Sequence, residues 1–132
     1  MEKEQIIIER FGLCPSEISY AEIKQLLVEE IENHDHSEGC GEYLRVLCFM
    51  IFYCGHVEDC ELIWKAKNLN FDTGWYIDGE LLFGAGYNKT LDYISEKTYL
   101  NNMKSYIEEY IDCECIFEKE DIIKNFKSFY RC

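Results

Sequence analysis

Three features of this sequence predict an all-α fold. Apolar residues recur at helical spacing through most of the 132 residues, and a single proline interrupts them. One apolar run ends at Gly55 and another at Gly86. After each the chain restarts with a helix-compatible segment, His56-Val57-Glu58-Asp59-Cys60-Glu61-Leu62-Ile63 and Tyr87-Asn88-Lys89-Thr90-Leu91-Asp92-Tyr93-Ile94, and a fainter third copy follows at Lys119-Glu120-Asp121-Ile122-Ile123. Punctuation about every 31 residues predicts antiparallel helical hairpins stacked as a short α-solenoid, with an irregular bundle as the alternative. The length suits one domain, residues 1–132.

The elements follow in order. Residues 3–11 read as a short helix or an extended arm around Ile6-Ile7-Ile8, and Gly12 and Pro15 mark a turn. Ser16 or Ser19 can cap a helix over about 19–33, whose stripe is Tyr20, Ile23, Leu26, Leu27 and Ile31. Asn33 to Gly41 is a polar loop. From about 41 to 54 the chain is apolar nearly all round, with Arg45 alone interrupting, so this helix belongs in the middle of the domain. Gly55 ends it as a left-handed cap. The next helix, about 57–68, sets Val57, Cys60, Ile63 and Trp64 on one side. Asp72 or Thr73 caps a helix over about 74–85 carrying Trp75, Ile77, Leu81, Leu82 and Ala85, with Gly79 and Gly84 where another backbone comes close. Helices of about 88–96, 98–112 and 119–131 complete the chain. The second of these buries Tyr99, Leu100, Met103, Tyr106, Ile107 and Tyr110; the last buries Ile122, Ile123, Phe126 and Phe129.

The repeat length and the glycine-then-acid punctuation of residues 41–97 resemble ankyrin-like or HEAT-like helical-hairpin arrays. The ankyrin signature Thr-Pro-Leu-His is absent, so the resemblance implies stacked hairpins more than ankyrin membership. Leu62-Ile63-Trp64-Lys65-Ala66-Lys67, Phe71-Asp72-Thr73, Ile77-Asp78 and Leu82-Phe83-Gly84-Ala85-Gly86 are also similar to small bacterial helical proteins of immunity type. That resemblance implies a bacterial source more than an activity.

The net charge is −13. It disfavours nucleic acid and anionic membranes, which need a basic footprint, and favours a basic protein partner. The longest apolar stretch, Val46 to Cys54, is too short to cross a bilayer, and the N-terminus carries no signal-peptide pattern, so a cytoplasmic location is expected. Eight cysteines raise the question of a disulfide scaffold, but Cys48, Cys54 and Cys60 lie in apolar helical patterns, where free thiols act as small hydrophobes.

Little in the sequence points to catalysis. There is no Gly-x-Ser-x-Gly and no phosphate loop, and no cofactor is expected. His34, Asp35, His36 and Cys40 share a loop, yet lack a matching ligand pair elsewhere, so no metal site is expected. Cys54, His56 and Cys60 flank a helix start, and Cys113-x-Cys115 lacks the spacer of a redox motif. The sharpest local expectation concerns Lys67 and Asp78, which fall in the apolar arcs of consecutive helices. A charge there needs a partner, so a buried or half-buried ion pair between them is expected, with Asp72 as a substitute acceptor.

The favoured expectation is a non-enzymatic, acidic protein-binding module, concretely an immunity protein that blocks a basic toxin. Expected contacts are Glu58, Asp59, Tyr87, Asp92 and Tyr93, with Glu38 and Glu42 from the 34–42 loop. One alternative is a small enzyme or ligand-binding protein with a pocket near Trp64, Asp72, Trp75 and Asp78. Another is a homo-oligomeric structural module joined through exposed Tyr and Phe of the last two helices. A monomer or homodimer fits the first reading.

Overall fold

The computed structural model describes residues 2–33, 41–69, 71–110 and 119–131. The loop bearing His34, Asp35, His36, Glu38 and Cys40, and the segment with Cys113 and Cys115, lie outside the described residues, as do the side chains of Asp72 and Trp75. The fold is all-α, with no strand among the described residues. The α-helices are α1 (Lys3–Phe11), α2 (Tyr20–Asn33), α3 (Gly41–Cys54), α4 (Cys60–Lys67), α5 (Phe71–Tyr76), α6 (Tyr87–Ser95), α7 (Asn101–Tyr110) and α8 (Lys119–Tyr130). Short 3-10 turns at Glu17–Ser19, Val57–Asp59 and Thr98–Leu100 lead into α2, α4 and α7. None of the described helices is long and apolar enough to cross a membrane.

The central element is α3. Leu44, Val46, Leu47, Cys48, Phe49 and Met50 are wholly inaccessible to solvent, as its all-round apolar sequence demands. It packs against α1, α2, α4, α5 and the 3-10 turn Gly79–Phe83. Polar contacts fix directions. Arg10 near the end of α1 pairs with Glu22 near the start of α2, and Lys3 lies 3.7 Å from Glu30, so α1 and α2 are antiparallel. Tyr20 at the start of α2 stacks on His56, just beyond the end of α3, with ring centres 4.0 Å apart. The same reasoning sets α2 antiparallel to α3.

The last helix returns to the middle one. Phe126 stacks on Phe49 at 4.2 Å, the Tyr130 hydroxyl donates to Glu42 at 2.6 Å, and Lys119 donates to the Tyr53 carbonyl at 3.1 Å. Thus α8 lies antiparallel along α3. In a solenoid each hairpin touches only its neighbours. Here the chain wraps an apolar axis, and of the two architectures expected the bundle describes it.

The helix expected over 74–85 is two pieces. α5 ends at Tyr76, Asp78 is extended, and a 3-10 helix covers Gly79–Phe83. The reason is competition for carbonyls. In a continuous helix the Gly74 carbonyl would accept from the Asp78 N–H; instead it accepts from Lys67 Nζ at 2.6 Å. The two expected glycine breaks hold, with φ of +77° at Gly55 and +100° at Gly86. Two residues expected to be buried are not: Tyr99 is 69% exposed and Phe129 63% exposed.

Candidate functional site

Lys67 is the buried cation that its position predicted, only 9% exposed, but its partner is different. Its ammonium donates to the backbone carbonyls of Gly74 and Ile77, each at 2.6 Å. Asp78 instead lies 3.6 Å from Arg45, largely exposed. The expected Lys67–Asp78 ion pair is therefore replaced by a cation capping the carbonyls where α5 ends. Burial lowers the Lys67 pKa, and the nearby Asp78 charge partly opposes that. Lys119 repeats the device, donating to Tyr53 and Gly84 carbonyls where α3 and the 3-10 helix finish, and burial lowers its pKa too. Trp64 packs against Tyr106 with ring centres 5.2 Å apart.

The expected partner contacts divide. Glu58 and Asp92 are exposed, on elements that pack together, since α6 rests on the 57–59 turn. Asp59 is 2% exposed and serves the interior: Tyr20 donates to it, and Lys24 pairs with it at 2.9 Å. It is a structural acid, not a surface contact. Tyr93 is half-buried and donates to Glu61, while Lys97 lies over its ring at 4.4 Å. Tyr87 is half-buried against Phe83 at 5.1 Å. Glu42 is oriented by Tyr130.

Tyr20, Tyr93 and Tyr130 thus each donate to a carboxylate, of Asp59, Glu61 and Glu42 respectively. Burial first, and then that hydrogen bond, raises each phenol above its ordinary pKa of 10.0. The unfolded phenols ionise first, so the unfolded state holds fewer protons above pH 10.0 and stability falls there as pH rises. The two lysines act in the opposite sense, gaining stability as pH climbs from their lowered values toward 10.5. Denaturant titrations of the Tyr20→Phe, Tyr93→Phe, Tyr130→Phe triple variant isolate the phenols. The variant is expected to lose less stability than the parent above about pH 10. Equal losses would show that these hydroxyls are not held by their carboxylates.

Three of the described thiols are poor nucleophiles. Burial pushes Cys54 up to about 11 and Cys60 up to about 12, and raises buried Cys48 as well. Cys48, Cys54 and Cys60 are free thiols. Among the described residues no group of three or more His, Cys, Asp or Glu is arranged to hold a metal.

What the surface does offer is a groove of about 610 Å³ between α1, the start of α3 and the end of α8. Glu4, Ile8 and Glu9 line it from α1, Glu42 from α3, and Phe129, Tyr130 and Arg131 from α8 and just beyond. A second depression of about 210 Å³ shares Glu4 and Glu42 and adds Glu2, Lys3, Tyr43 and Tyr76. The two therefore form one acidic and aromatic surface. Of the expected partner contacts among the described residues, only Glu42 belongs to it. The others come from both ends of the sequence, and no local pattern links them. The available signal was Phe129, at the last turn of its helix, where the apolar stripe runs past the support beneath it.

No known protein family, curated protein or solved structure matches the chain.

Proposed function

We propose that this protein is a non-enzymatic binding module for a basic protein partner. The observation that carries the reading is the groove, lined by three carboxylates and one guanidinium around an exposed aromatic ring, Phe129. The net charge of −13 supports it, because that field attracts a cationic partner from a distance. In its most concrete form the module is of immunity type: its acids stand in for phosphates and occupy the active-site groove of a cationic toxin.

The experiment is co-expression with the product of the adjacent gene, followed by affinity measurements at low and high salt. Affinity is expected to fall at least about tenfold between roughly 50 and 300 mM NaCl, mainly through slower association. Tight binding to a neutral partner, unchanged across that range, contradicts the reading.

A further inference from the structure

We infer that the groove between α1, α3 and α8 seats a cationic amphipathic helix, with one large apolar side chain against Phe129 and its flanking Lys or Arg side chains against Glu4, Glu9 and Glu42. The inference rests on the basic-partner reading above and adds where and how the partner is held.

Phe129 is the first observation. Its neighbours on the apolar stripe of α8, Ile122, Ile123 and Phe126, are buried, while Phe129 stands 63% exposed in the groove wall. Its ring is held edge-on by Tyr130, with centres 4.8 Å apart, and the Arg45 guanidinium already lies 5.3 Å from its centre, so the acids rather than the ring must attract the cations of an occupant. An aromatic ring fixed in place and left open to water is the kind of anchor that dominates protein interfaces. Half-buried Ile8 supplies apolar surface from α1.

Charge complementarity names the occupant. Glu4, Glu9 and Glu42 line the groove, and Arg131 is the one base among its described lining residues. Glu42 is already oriented by Tyr130, so little ordering remains when a cation arrives. A second copy of this chain would bring another −13 and be repelled. A helical occupant fits best, because the walls are themselves helices and the described residues offer no sheet edge for an extended peptide. At about 610 Å³ the groove admits one row of side chains and leaves the rest of the occupant outside.

The full chain, labelled with ¹⁵N, is titrated with a synthetic Leu/Lys amphipathic helical peptide, and with a control peptide of equal charge in which Ser replaces Leu. Amide shifts are expected at residues 4–9, 42 and 129–131. The Leu/Lys peptide is expected to bind at least about tenfold more tightly than the Ser/Lys control. Phe129→Ala should erase that preference, and Glu4→Gln with Glu9→Gln should weaken both peptides, whereas Glu96→Gln, at an exposed acid outside the groove, should change neither. Phe129 is exposed, so an unchanged Tm checks that its variant is folded. Shifts confined to another face, or a preference surviving Phe129→Ala, overturn the groove assignment and leave the basic-partner reading standing. Failure of both cationic peptides to bind at low salt overturns the two together.

Discussion

Gly84→Ala is expected to lower the unfolding free energy by about 2–4 kcal/mol. A Cβ at Gly84 would meet the Phe52 carbonyl oxygen at 2.5 Å, with Phe52 Cα and carbonyl carbon at 3.1 and 3.2 Å. All three are backbone atoms of α3, so no rotamer change relieves them. The end of the 3-10 helix would have to lift from α3. That lift would also pull the Gly84 carbonyl away from Lys119, which holds it at 2.8 Å. Gly74→Ala is the matched control. Among the described residues its Cβ would meet only the Lys67 carbonyl oxygen, at an ordinary 3.7 Å, and it sits in α5. There the change is expected to be neutral or to stabilise by up to about 1 kcal/mol. Urea unfolding of the two variants beside the parent gives the comparison. Similar behaviour of both would mean that the α3 crossing at Gly84 is looser than described.

Lys67→Met is expected to cost a comparable amount, about 2–4 kcal/mol. The substitution keeps the apolar stem and removes the ammonium shared by the buried Ile77 carbonyl and the part-buried Gly74 carbonyl. Those carbonyls, of Gly74 and Ile77, would be left without the donor that lets α5 stop where it does. Asp78→Asn is expected to change stability by less than about 0.5 kcal/mol, because Asp78 is exposed and its nearest cation is Arg45. A double-mutant cycle should then find little coupling between positions 67 and 78. Strong coupling, with Asp78→Asn as costly as Lys67→Met, would restore the ion pair in place of the carbonyl cap.

Much of the helix plan was readable from the chain itself. α3 begins and ends where its all-round apolar run does, because a helix with no polar face has one place to go. Gly55 and Gly86 are legible because only a residue without a Cβ adopts their φ cheaply. That Lys67 is buried follows from its place in an apolar arc. Its partner does not, since backbone carbonyls leave no mark in a sequence. Asp59 misleads for a related reason: an acid in the first turn of a helix looks like a complement to the dipole. Only the folded arrangement brings Tyr20 and Lys24 to it. The groove was least visible, as its walls come from elements far apart in sequence and the return of α8 to α3 has no periodic signature.

That return has a consequence for how the protein is made. Lys119 reaches back 66 residues to Tyr53, and Tyr130 reaches back 88 to Glu42. A ribosome adding roughly 5–20 residues per second leaves several seconds between synthesis of the middle helix and of the one that shields it. Through that interval the nascent chain carries an oily flank centred on Phe49, a target for ribosome-associated chaperones until translation supplies Phe126.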